Sequence, residues 1–285
     1  MLDKRLVDDV RNIMNTGLAD VEVEAVEVAK NNLTLDGIRV FRGAKGITYY
    51  PSKDETAEEI ADKLDEELEK APDFSYLVDN LKDRNWILNH VYPQLVSSYT
   101  DNKENPILEG KVGKQLLNMC ILYYIEVSSS PEGSANIFIT EEMLNNMDVT
   151  AADLHYNALH NIQKKMQFMS MFQKITSICD EVPFAPDEET MFVLTTENEN
   201  SGAALIASEN VLEEIHEKLG CEYYILPSSR HEVIIIPARN GLSQETAETF
   251  YHIVCEVNAT QVNPVDKLTD SVYYYDEQYG LEQVA

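Results

Sequence analysis

Tyr223-Tyr224-Ile225-Leu226-Pro227-Ser228-Ser229-Arg230-His231-Glu232-Val233-Ile234-Ile235-Ile236 decides the fold of this chain. Two aromatic and β-branched runs flank a short turn-forming segment, in which Pro presets φ and the serines bond locally to backbone amides. Two paired strands are predicted. Ser208 caps a helix carrying Val211, Leu212, Ile215 and Leu219 before Gly220 stops it, and a second helix over 243–257 carries Ala247, Phe250, Tyr251 and Val254. Residues 191–195 and 203–207 read as strands around a turn over 197–202. The order is therefore strand, strand, helix, strand, strand, helix. Short connections favour antiparallel pairing, so the expected class is α+β, with mostly antiparallel sheets and helices packed on one face. Asn263-Pro264 reads as the start of one more short helix, and 277–285 as a frayed tail.

Upstream, Asp180-Glu181-Val182-Pro183-Phe184-Ala185-Pro186-Asp187-Glu188-Glu189 combines two prolines with acids. It marks a linker over 181–189 between an N-terminal α+β region, 1–180, and a C-terminal α+β region, 190–276. Leu2, Leu6, Val7, Val10, Ile13 and Met14 share one side of a helix that Gly17 ends. Residues 21–28 alternate with period two, and 33–50 read as further strands interrupted at Gly37, Gly43 and Gly46. Ser52-Lys53-Asp54-Glu55 has capping-box spacing ahead of an acidic helix through Ile60, Leu64 and Leu68. Trp86-Ile87-Leu88-Asn89-His90-Val91-Tyr92 reads as a strand after a short helix. Strands over 116–127 and 135–140 are joined by Ser128-Ser129-Ser130-Pro131-Glu132-Gly133. A helical pattern over 141–179, with a cap at Thr150, gathers Met143, Met147, Met166, Met169 and Met171, which read as core filling.

The 285 residues carry 22 Lys+Arg against 50 Asp+Glu, a formal charge of −28. Such a field disfavours direct binding to nucleic acid, which needs clustered cations, and attracts basic protein surfaces. Between 175 and 217 there are eleven acids and no Lys or Arg, and 53–73 add ten acids against three lysines. No segment approaches the apolar length of a membrane span, and acids near Met1 interrupt any signal-peptide pattern, so a cytoplasmic protein is expected. Cys120, Cys179, Cys221 and Cys255 are too dispersed for a redox or zinc motif, and read as free thiols.

Ser228, Ser229, His231 and Glu232 bring a hydroxyl, an imidazole and a carboxylate into one turn, the ingredients of nucleophilic hydrolysis. No nucleophile elbow or oxyanion loop accompanies them, so turn formation, or a ligand-binding loop, explains the same residues. His155 and His160 are five apart and miss the i, i+4 spacing of a helical metal pair. Gly110-Lys111-Val112-Gly113-Lys114-Gln115 has the wrong glycine spacing for a phosphate loop. No metal and no cofactor is expected. Tyr273, Tyr274 and Tyr275, with Tyr279 nearby, offer either stacking surface to a ligand ring or amphipathic packing along a sheet. The leading expectation is a non-enzymatic protein that binds another protein, one with a basic surface. Alternatives are an acidic mimic of nucleic acid that inhibits a DNA- or RNA-binding protein, and a hydrolase using Ser228 and His231.

Leu226-Pro227-Ser228-Ser229, His231-Glu232-Val233-Ile234, Val257-Asn258 with Thr260 and Val262, and Asp270-Ser271-Val272-Tyr273-Tyr274-Tyr275-Asp276 resemble a family of uncharacterised cytosolic proteins. That family is a domain of unknown function of anaerobic Gram-positive bacteria. Lys30-Asn31-Asn32 with Leu35-Asp36-Gly37 is similar to its opening, which extends the resemblance over 20–276. The resemblance implies no activity and no catalytic residue.

Overall fold

A computed structural model of the chain describes residues 2–17, 20–100, 103–130, 133–178 and 190–285. The first 70 residues close a core of their own. Helix α1 (Lys4–Gly17) buries Val7, Val10 and Met14 at helical spacing. Strands β1 (Glu22–Lys30), β2 (Leu33–Arg42) and β3 (Lys45–Tyr49) form an antiparallel meander, and α2 (Ala57–Lys70) packs Ile60, Ala61, Leu64 and Leu68 against Val23, Ile38 and Val40. The capping box lies four residues beyond its expected place: Thr56 Oγ1 accepts from Glu59 N–H, and the Glu59 carboxylate accepts from Thr56 N–H. Glu55 instead accepts from Ser52 N–H and from the Tyr49 hydroxyl, and pairs with Lys63.

Short helices α3 (Ser75–Asn80) and α4 (Arg84–His90) lead into β4 (Val91–Ser97). Trp86 to His90 are thus helical, correcting the strand reading, because Asp83 caps the amides of Asn85 and Trp86. After the two-residue strands β5 (Tyr99–Thr100) and β6 (Lys103–Glu104) come β7 (Gly113–Leu116), β8 (Met119–Ser130) and β9 (Gly133–Phe138). They form a sheet of order β4-β8-β7, with β9 also on β8. A turn at Leu117-Asn118 breaks what the sequence presents as one strand; Leu117 has φ +54°. Pro131 and Glu132 lie outside the described residues.

Helices α5 (Glu141–Asn146) and α6 (Ala151–Gln163) follow, the second with the expected cap at Thr150. Residues 166–170, read as helix, are strand β10 (Met166–Ser170), and only α7 (Met171–Ile178) resumes helical geometry. The chain continues through β11 (Phe192–Thr196), α8 (Glu209–Leu219), β12 (Tyr223–Leu226), β13 (Val233–Pro237), α9 (Gln244–Thr260), β14 (Tyr273–Asp276) and β15 (Gly280–Gln283). The sheet order is β10-β11-β13-β12-β14-β15, every neighbour antiparallel. The fold is α+β.

Several local expectations change in this half. Residues 203–207 are not a strand but part of a buried 3₁₀ segment, Gly202–Ala207. Its start is pinned by Gly202, where a Cβ would lie 2.5 Å from the His231 carbonyl oxygen and 2.6 Å from Thr195 Cα. Residues 277–285 do not fray: β15 pairs with β14, and Val272 N–H donates to the Ala285 carbonyl at 2.9 Å. Asn263-Pro264 opens a single hydrogen-bonded turn rather than a helix. The 181–189 linker lies outside the described residues.

Contrary to the expectation from sequence, the helices are not confined to one face. Helix α8 packs on one face of the six-stranded sheet with Tyr223, Ile225, Tyr273 and Tyr275, while α9 covers Tyr224, Leu226 and Tyr274 on the other, because strand alternation makes both faces of β12 and β14 apolar. The first of these cores continues without a break into Ile87, Ile121, Tyr123, Leu154 and Ile162, so residues before and after 181–189 share it.

Candidate functional site

The turn between β12 and β13 holds Ser228, Ser229, His231 and Glu232, but it is organised around a residue distant in sequence. Arg230 Nε and His231 Nε2 reach the same oxygen of Asp266, at 2.6 and 3.1 Å. The Ser228 carbonyl accepts from Leu268 N–H at 3.0 Å, and Ser229 Oγ accepts from His231 N–H at 3.2 Å. The His231 carbonyl accepts from Gly202 N–H and from Thr195 Oγ1. Among the described hydrogen bonds, none joins Ser228 to the His231 ring, and the second ring nitrogen, Nδ1, is buried without a partner. The ring therefore faces a carboxylate, and among the described residues no hydrogen bond holds a base against the Ser228 hydroxyl. Glu232 sits half-buried before β13.

Tyr273, Tyr274 and Tyr275 are buried in β14. The Tyr273 hydroxyl donates to Asn118 Oδ1. Tyr274 meets Tyr224 edge-on, and Tyr275 stacks on Tyr223 with 5.2 Å between ring centres. Burial pushes the Tyr273 and Tyr274 phenols up to about 12. These rings fill core rather than present a stacking surface. Alternation explains their division between the two cores, since successive strand side chains point to opposite faces.

The exposed aromatic surface lies just beyond, at an open cleft of about 850 Å³ where α6, β7, the start of α8 and the β14–β15 turn meet. Its rim carries Tyr156 and Tyr279, 73% and 68% exposed. At its base, His155 Nδ1 lies 3.0 Å from the Tyr123 hydroxyl and Nε2 lies 3.0 Å from Lys114 Nζ. An ammonium donates and cannot accept, so Nε2 is the acceptor and Nδ1 carries the proton toward Tyr123. Burial, then the Lys114 charge, lowers the His155 pKa. Glu209 and Glu213 reach the cleft from α8, and Glu277 from the β14–β15 turn. Their convergence is felt by Tyr275, whose phenol is raised first by burial and then by Glu213, Glu277, Glu209 and Asp276.

His155 and His160, considered as metal ligands in the sequence, both line this cleft. No group of three or more His, Cys, Asp or Glu suited to a metal ion occurs among the described residues. Lys114, Tyr123 and the three glutamates carry no sequence signal that joins them; the sheet and two helices do so. No helix among the described residues is long and apolar enough to cross a membrane.

A model of a family of unknown function (DUF5688) matches residues 3–277. No curated protein and no solved structure matches the chain.

Proposed function

We propose that this chain, which belongs to the family of unknown function (DUF5688), is a non-enzymatic binding protein whose cleft between α6, α8 and β15 takes a basic segment of another protein. The observation that carries the reading is the convergence of Glu209, Glu213 and Glu277 beside the exposed rings of Tyr156 and Tyr279. Carboxylates from two separate elements supply charge to a Lys or Arg side chain. A tyrosine face attracts the same cation by a further ~0.5–1 kcal/mol at an exposed site. Lys114 keeps its positive charge at the base of the cleft and is outnumbered there by Glu209, Glu213 and Glu277. The formal charge of −28 steers a basic partner toward the protein before contact.

The test is calorimetric titration with a synthetic peptide of alternating Arg and Gly. Saturable binding is expected, weakening at least about tenfold between about 50 and about 300 mM salt. Paired Glu209→Lys and Glu213→Lys changes abolish it. Paired Glu58→Lys and Asp62→Lys changes on exposed α2 alter net charge equally and leave most of the affinity. Equal loss in both variants contradicts a cleft and favours a diffuse acidic surface of the nucleic-acid-mimic kind; absence of binding contradicts the proposal outright.

A further inference from the structure

A second cleft, of about 590 Å³, lies where the β1–β2 turn, the β7–β8 turn, α9 and residues 262–271 meet. Hydroxyl, amide and carboxylate groups dominate its lining, and Tyr99 and Tyr251 add rings that are 64% and 38% exposed. Its hydrogen-bonding capacity is unevenly spent. Thr269 Oγ1 accepts from Asn118 Nδ2 and from Ser271 N–H, each at 3.0 Å. Ser271 Oγ accepts from the same Asn118 amide at 3.0 Å and from Gln283 Nε2 at 2.9 Å. Each hydroxyl oxygen thus has both lone pairs filled and can act only as a donor.

Among the described hydrogen bonds neither hydroxyl gives its proton to an acceptor, and the neighbouring Tyr273 hydroxyl gives its own to Asn118 Oδ1. Both protons are therefore open to an acceptor oxygen in the cleft. On α9, Asn258 spends both amide hydrogens, on the Thr269 carbonyl and on Asp270, while its buried Oδ1 accepts nothing. Among the described residues the cleft's charges cancel within it, since Lys267 Nζ lies 2.9 and 3.0 Å from the two Asp270 oxygens.

We infer that this cleft binds a neutral polyhydroxylated ring, of the size and chemistry of a monosaccharide. A sugar hydroxyl both accepts and donates, which matches a spare O–H and a spare carbonyl in one place. A ring's C–H face suits exposed tyrosine. A free anion or cation finds no uncompensated partner there among the described residues, because Lys267 and Asp270 hold each other. The volume falls in the range of small-molecule sites. This site is separate from the acidic cleft and does not depend on the reading given to it.

The test is two-dimensional amide NMR of the intact chain, titrated separately with methyl α-glucoside, methyl β-galactoside, N-acetylglucosamine and, as charged controls, inorganic phosphate and arginine amide. At least one sugar is expected to shift the side-chain amides of Asn118 and Asn258 saturably, with neither control doing so. Ser271→Ala is expected to weaken that sugar about tenfold, the loss of one hydrogen bond of about 1.4 kcal/mol. Because Ser271 is buried, Tyr99→Ala on the exposed rim provides a second variant that keeps the fold and weakens binding. No shift with any sugar at about 50 mM, where even a ligand with a Kd of about 10 mM would nearly saturate, overturns the inference. So do shifts produced by phosphate or arginine amide, or full sugar affinity in Tyr99→Ala and in folded Ser271→Ala.

Discussion

Lys114 Nζ lies 3.0 Å from His155 Nε2, so a lysine ammonium donates to an imidazole at the base of the acidic cleft. That contact requires a neutral ring, and burial and the adjacent positive charge both lower the His155 pKa below its ordinary 6.5. Lys114→Met is expected to raise the His155 titration point, read from its ring carbon resonances, although burial keeps it below 6.5. The contribution of neutral His155 is fully present above the unfolded value near 6.5, and is lost as pH falls from there through the folded value. A His155→Gln variant should therefore lose less stability than the parent over that window in chemical denaturation at successive pH values.

Gly202 holds the 3₁₀ segment against the β12–β13 turn through its N–H bond to the His231 carbonyl. The atoms that a Cβ would strike are backbone atoms of His231 and Thr195, which have no flexible end to move aside. Gly202→Ala is predicted to cost about 3 kcal/mol in urea denaturation, with the largest chemical-shift changes at His231 and Thr195.

Asn31 ties the N-terminal meander to the rest of the chain. Its Oδ1 accepts from Ser97 N–H at 3.1 Å and from Asn105 Nδ2 at 2.8 Å, while its Nδ2 donates to the carbonyls of Val265 and Lys267. Asn31→Ala strips partners from several buried groups and should cost about 3 kcal/mol. Asn146→Ala, on an exposed helix, should change stability by less than about 0.5 kcal/mol.

Most elements with a clear period or cap were legible in the sequence: α1, the alternating β1, the Thr150 cap, α8 with Gly220 behind it, the β12–β13 pair and α9. The failures share a physical cause. Residues 203–206 are buried on all sides, so their apolar run has no alternation to separate strand from turn. β10 follows directly on α6, and its Met-Gln-Phe-Met composition suits either state; its identity comes from pairing with β11. β15 is held as a strand by β14, a tertiary partner that local composition does not reveal. The site was harder still. Asp266, which orients His231, lies 35 residues away, and the acidic cleft is assembled from α6, β7, α8 and the β14–β15 turn.

The pairing of β10 with β11 and the shared core make a further prediction about the 181–189 segment. With a specific protease site inserted at 185, cleavage should yield two fragments that co-elute in native gel filtration and separate only in denaturant. Separation without denaturant would show that the regions on either side fold as independent domains.

Hydrogen–deuterium exchange with and without the Arg-Gly peptide tests the acidic cleft most directly. Slowed exchange is expected in the first turn of α8, in the β14–β15 turn and along α6, with α2 unchanged. Protection confined to α2, or spread evenly over acidic segments, would contradict it.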